Sequence, residues 1–182
     1  MRYAITGSIG TGKTTVANVF RARGITVYDS DVMVHELYKD KEVLNQVKKL
    51  FPEAFLKGSM DKKVISDIIF HNEIKKKELE DYIHPLVRKE IEKLDNCIVE
   101  VPLLYESKME DIFDKVILVY CDKELEIKRL IERNNYSEEE AMARINSQMD
   151  INEKKKYADI IINNDGSIEN INKQVDDIIA KL

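Results

Sequence analysis

Apolar positions along the chain come in two rhythms that alternate from the first residues onward. Short apolar runs, "RYAIT" (2–6), "ITVY" (25–28), "CIVEV" (97–101), "KVILVY" (115–120) and "DIIIN" (159–163), have the length and β-branched content of buried strands. Between them, apolar residues recur at helical spacing. A helix is expected from Lys13 to Arg23, stopped by Gly24. Residues 32 to 51 carry Val34, Leu37, Val43, Leu44, Val47 and Leu50 in helical register, with Pro52 as the stop. Asp61 is placed to cap a helix bearing Val64, Ile65, Ile68 and Ile69. The helix around "KKELEDYIHPLVRKEIEKL" contains Pro85, which predicts a break or kink near His84. A charged amphipathic helix follows over 123–134, Ser137 with Glu140 forms a capping box for another, and "SIENINKQVDDIIAKL" closes the chain.

Strands of the buried kind separated by helical segments define an α/β fold, a five-stranded parallel sheet flanked by helices on both faces. Ligands of such sheets sit at the carboxyl ends of the strands, near the switch in strand order. A chain of 182 residues reads most simply as one domain. It is 43% hydrophobic and 35% charged, as in soluble globular proteins, and its net charge of −5 argues against general nucleic-acid binding. No apolar run reaches the length of a membrane span. The first residues lack the features of a signal peptide, and Cys97 and Cys121 stand apart with no CxxC partner. A cytoplasmic protein with reduced thiols is expected, a monomer or weak homo-oligomer.

The first strand runs into "GSIGTGKT" (7–14), which fits G-x-x-x-x-G-K-[ST] between a strand and a helix, the context that the motif requires. Glycines let successive backbone N–H groups curl onto phosphate oxygens, and the helix amino terminus adds its positive end. Gly7, Ile9, Gly10, Thr11, Gly12, Lys13, Thr14 and Thr15 are therefore the expected ATP contacts, with Lys13 on the β and γ phosphates and the Thr14 hydroxyl on Mg²⁺. The base-reading motif N-K-x-D of GTPases is absent, since "NNDG" (163–166) lacks the lysine. A chain of almost nothing but sheet and cover fits a small kinase better than a motor or transport ATPase.

The second strand ends in two acids, Asp29 and Asp31, and is expected near the first. At the carboxyl end of a strand facing the γ-phosphate, one acid can accept or orient the proton of an attacking hydroxyl. The other can help hold Mg²⁺. The competing account is that Asp29 forms a turn and Asp31 caps the helix at 32. Asp122, after the fourth strand, is a further acid of the same type.

At this point the chain resembles the dephospho-coenzyme A kinase family. The resemblance is carried by "ITGSIGTGKTTVANVF", "GITVYDSD", "YIHPLVRKEI", "VEVPLLYE" and "ARINSQ…KKKYADIIINNDG", in the expected order and over nearly the whole length. It implies a three-layer P-loop kinase that passes the ATP γ-phosphate to the ribose 3′-hydroxyl of dephospho-CoA. A helical substrate-binding region over 32–94 and a lid over 129–150 would flank a core of 1–31, 95–128 and 157–182. Asp31 matches the family's general base and Asp29 its neighbour, while His84 becomes a substrate contact. A kinase for another small acceptor, such as a nucleoside monophosphate, is the alternative.

This chain departs from the family in having Ser8 where a glycine is common, Thr14 for serine, and Lys62 for an arginine, which keeps the charge but loses a bidentate fork. Within "RLIERNNYSEEEAMARINSQ", Arg133 and Arg144 are candidates to reach the transferring phosphoryl group as a lid closes. Arg129 fits a solvated face better, with Glu126, Glu132 and Glu138 to Glu140 as salt-bridge partners. In "VPLLYE", Leu103, Leu104 and Tyr105 could form an apolar wall for pantetheine or adenine, and Glu106 is a candidate substrate or lid contact.

Overall fold

A computed structural model of the chain describes residues 1–56 and 58–181. The chain runs β1 (Arg2–Thr6), α1 (Lys13–Ala22), β2 (Val27–Asp29), α2 (Ser30–Leu37), α3 (Lys41–Leu50), α4 (Lys62–His71), α5 (Glu73–Glu92), β3 (Cys97–Glu100), β4 (Lys115–Tyr120), α6 (Lys123–Asn134), α7 (Glu138–Asn146), α8 (Ile151–Tyr157), β5 (Ile160–Asn163) and α9 (Ile168–Ile179). It divides into two compact units, one of residues 1–30 with 94–182 and one of residues 31–93.

The larger unit holds a five-stranded sheet in the order β2-β3-β1-β4-β5, every pair parallel. The second strand is near the first but not beside it, because β3 lies between them. This leaves β2 on an edge, and the expected burial fails there: Val27 is half-buried and Tyr28 is 40% exposed. The central strands β1, β3 and β4 are buried almost throughout. Ile5, Val16, Phe20, Ile117, Ile162 and Val175 form one cluster, in which the apolar faces of α1 and α9 cover one side of the sheet. Leu130, Ala141 and Ile145 make a second cluster in the α6–α7 hairpin, and Ile9 of the glycine-rich loop packs against it.

Local signals explain most boundaries. Ser137 and Glu140 form the reciprocal capping box of α7. Two expectations in the smaller unit change. The helical spacing over 32–51 belongs to two helices, because the Asp40 carboxylate accepts from Glu42 N and Val43 N and starts α3 afresh. Conversely, α5 continues through Pro85, with Ile83, Val87 and Ile91 on its buried side holding the two halves to one surface. Pro85 still removes the N–H that would bond the Asp81 carbonyl.

Cys97 and Cys121 are buried and outside any disulfide, and burial pushes the Cys121 thiol up to about 11. Among the described residues no helix is long and apolar enough to cross a membrane.

Candidate active site

The loop from Gly7 to Gly12 carries the chain from β1 into α1. Gly12 stands at the helix entry with φ +88°, a left-handed conformation that favours glycine, and a Cβ there would collide with Asn164 Nδ2. That amide donates to Thr11 O at 2.7 Å and so fixes the back of the loop from the end of β5. Lys13 Nζ donates to Ser8 O at 2.8 Å and to Gly7 O at 3.2 Å. The ammonium thus rests on loop carbonyls, beside a helix amino terminus suited to anions.

Glu100 ends β3, in register with Ile5 of β1 on one side and Asp29 of β2 on the other. Paired residues of neighbouring strands point to the same face of a sheet, so Asp29 and Glu100 share the face covered by α1. Glu100 is 4% exposed, and its Oε1 accepts from the Thr14 hydroxyl at 2.8 Å. Its Oε2 is buried with no hydrogen-bond partner. A buried carboxylate with an unsatisfied oxygen costs several kcal/mol unless a cation or donor meets it. Two carboxylates and a hydroxyl are hard oxygen donors and fit Mg²⁺. Among the described residues no cluster of three or more His, Cys, Asp or Glu makes a stand-alone metal site, so substrate phosphates would supply further ligands. Glu100 went unmarked in the sequence although the signal was present, an acid closing an otherwise apolar strand in "CIVEV".

Asp31 lies in the first turn of α2, exposed, at a helix amino terminus rather than on the strand. His84 is half-buried in α5. Burial pushes its pKa down, and Glu80 and Asp81 pull it back up. Lys62 opens α4 and bonds His35 Nδ1. These four belong to the 31–93 unit, whereas the loop, Asp29 and Glu100 belong to the other.

Arg129, expected on a solvated face, is half-buried instead. Its Nη2 donates to Asn164 O at 2.9 Å, and it lines a cavity of about 490 Å³ with Gly10, Gly12, Thr15, Arg133 and Asn164. Arg133 is exposed at that rim and bonds the neighbouring Asn134. The Arg144 guanidinium lies over the Tyr136 ring, 4.6 Å from its centre. Glu106 accepts from Met149 N at 2.9 Å and pairs with the fully buried Lys154 at 2.9 Å. Leu104 is fully buried, so the apolar wall expected over 103–105 loses its middle member, while Leu103 and Tyr105 keep part of their surface. Asp122 caps the start of α6 with its backbone and accepts from the Tyr120 hydroxyl.

A parallel sheet with a phosphate-binding loop after its central strand, a buried acid on the neighbouring strand end and an arginine-lined cavity beside the loop define a P-loop kinase. Comparison with known proteins carries this further. The family model described as Dephospho-CoA kinase matches residues 1–170. A dephospho-CoA kinase of Bacillus cereus is 38% identical, the match covering 97% of this chain and 94% of the relative. Among solved structures, a dephospho-CoA kinase from Campylobacter jejuni superposes with a TM-score of 0.72 at 32% identity, covering 99% of this chain and 96% of that one. The protein TT1252 from Thermus thermophilus superposes at 0.86 with 34% identity, covering 100% and 97%. The chain belongs to the dephospho-CoA kinase family.

Proposed function

We propose that this kinase transfers the γ-phosphate of ATP to the ribose 3′-hydroxyl of dephospho-CoA, giving CoA and ADP. The observation that carries the reading is the Thr14–Glu100 pair set beside the Lys13 ammonium on an intact phosphate-binding loop, in a chain of this family. The loop N–H groups and Lys13 take the phosphates, and Lys13 exchanges its carbonyl partners for phosphate oxygens as nucleotide enters. Thr14, Glu100 and Asp29 hold Mg²⁺, which neutralises phosphate charge when bound. The cavity at Arg129 and Asn164 takes the adenine side of ATP.

On the acceptor side, Asp31 accepts or orients the 3′-hydroxyl proton, and His84 and Glu106 serve dephospho-CoA, whereas the fully buried Leu104 is part of the core. Residues 32–94 form the acceptor-binding region, and 129–150 form a lid whose Arg133 and Arg144 approach the phosphoryl group on closure. The buried thiols of Cys97 and Cys121, outside any disulfide, support a reducing, cytoplasmic setting. The protein acts as a monomer or weak homo-oligomer on small molecules, not on nucleic acid. Mass spectrometry of a reaction with ATP, Mg²⁺ and dephospho-CoA tests the reading: CoA and ADP should form in equal amounts, and ADP without CoA would refute it.

A further inference from the structure

Asn164 holds the back of the phosphate-binding loop, and a second residue holds its front from just beyond the α6–α7 hairpin. The Ile9 N–H donates to Gln148 Oε1 at 2.9 Å, across 139 residues of sequence. Since an N–H can only donate, the glutamine atom facing Ile9 is its oxygen, and the amide nitrogen is turned elsewhere. Gln148 is fixed on either side. Its own N–H closes the end of α7 on Ile145 O at 3.1 Å. The next residue, Met149, donates its N–H to Glu106 Oε1 at 2.9 Å. Fully buried Lys154 of α8 brings its ammonium within 2.9 Å of that same oxygen, a charge contact without an aligned hydrogen bond. The Ile9 side chain packs on the same hairpin, against Leu130, Ala141 and Ile145.

The loop N–H groups are therefore not equally available. Those of Gly10 and Gly12 make no hydrogen bond among the described residues, which leaves them for an anion. That of Ile9 is committed to Gln148. A phosphate oxygen could take it only by displacing a glutamine whose backbone is held by α7 and whose neighbour is held by Glu106 and Lys154. The phosphate contact expected at Ile9 gives way to a support.

We propose that Gln148 is a positioning residue of the phosphate-binding loop: its amide oxygen keeps the Ile9 N–H in both the free and the nucleotide-bound protein, and so sets the curl of the loop for the phosphates. The inference rests on the reading of this loop as the ATP site. A loop ordered in advance loses less conformational freedom when nucleotide enters, so removing the bond weakens ATP binding and leaves acceptor binding alone. The same bond ties the carboxyl end of the proposed lid to the loop.

The experiment pairs calorimetric titration of the whole protein with ATP and Mg²⁺ with NMR of the backbone amides of Ile9, Gly10 and Gly12, and thermal melts are the folding control. Gln148→Met keeps the length of the side chain and removes the acceptor. It should bind ATP roughly three- to tenfold more weakly than wild type, the scale of one hydrogen bond, with the KM for dephospho-CoA unchanged. In wild type the Ile9 amide should keep its resonance position as ATP binds, while those of Gly10 and Gly12 move. In Gln148→Met the Ile9 amide should exchange with solvent roughly tenfold faster. A Gln148→Met affinity for ATP equal to or tighter than that of wild type overturns the inference. So does a wild-type Ile9 resonance that moves with ATP as far as those of Gly10 and Gly12, a result open to measurement even should the variant fail to fold. Absence of ATP binding by wild-type protein would instead overturn the reading of the loop as the ATP site, on which the inference stands.

Discussion

The Thr14 hydroxyl donates to Glu100 Oε1 at 2.8 Å, and Glu100 Oε2, equally buried, has no hydrogen-bond partner. A helix amino terminus and a strand end are thereby joined through a carboxylate with spare capacity for a cation. Glu100→Gln preserves the shape and the acceptor for Thr14 but removes the charge. It should raise the Mg²⁺ concentration for half-maximal rate and lower kcat roughly 10²-fold, the usual scale for loss of one preorganised electrostatic contact. Steady-state rates over a Mg²⁺ titration check this, and an unchanged Mg²⁺ requirement would place the metal elsewhere.

Lys13 should matter to the rate far more than to the fold. In the proposed reaction its ammonium stabilises charge that develops between the β and γ phosphates, and in the free protein it donates to the backbone carbonyls of Gly7 and Ser8. Lys13→Ala should lose about a hundredfold or more in kcat, equivalent to about 2.7 kcal/mol, while its melting temperature stays close to wild type. Rate assays paired with melts decide the matter, and near-normal turnover would mean that ATP is bound elsewhere.

Asp29, which ends β2, and Asp31, just beyond it, should fail differently. Asp31 sits in the first turn of α2, where a negative charge favours the helix by about 0.3–1 kcal/mol. Asp31→Asn would cost no more than that in stability if the residue served the helix alone. If it accepts or orients the 3′-hydroxyl proton as proposed, its loss should lower kcat roughly 10²- to 10⁴-fold with ATP affinity nearly intact. Asp29→Asn, in register with Glu100, should instead raise the Mg²⁺ requirement. An active Asp31→Asn enzyme would reduce that aspartate to a helix-start residue.

Most strands and helices were legible because the apolar rhythm changes sharply between them. The loop was legible because its spacing is tied to one chemistry. What escaped depends on neighbours distant in sequence. The strand order puts β3 between β1 and β2, which exposes Tyr28 and makes Glu100, an acid in an apolar run, the partner of Thr14. Asn164 read as part of a failed base-recognition motif and of a family-like segment, with no role of its own, yet it fixes the loop from 153 residues away. Arg129 looked solvated by its local charges until the end of β5 was brought against it. Pro85 predicted a break or kink from local chemistry alone; the break does not occur, and α5 keeps one buried side across it.

His84 gives the fold a pH dependence of known sign. Burial lowers its folded pKa below the ordinary value of 6.5, so the unfolded chain binds the proton more readily. The neutral form therefore carries no penalty above pH 6.5, and stability is lost as pH falls through the interval down to the folded value. The melting temperature of wild type should fall more steeply between about pH 7 and 5 than that of His84→Gln. Equal slopes would mean that His84 is as accessible to protons folded as unfolded.

The central claim is the identity of the acceptor. The most direct measurement is the initial rate of ADP formation with saturating ATP and Mg²⁺ and, in turn, dephospho-CoA, AMP, CMP and shikimate, with the phosphorylated product identified by mass spectrometry. The account predicts rapid turnover with dephospho-CoA alone, one CoA per ADP with the new phosphate on the ribose 3′-oxygen, and only background rates with the other three. Faster turnover of AMP, CMP or shikimate than of dephospho-CoA would contradict it.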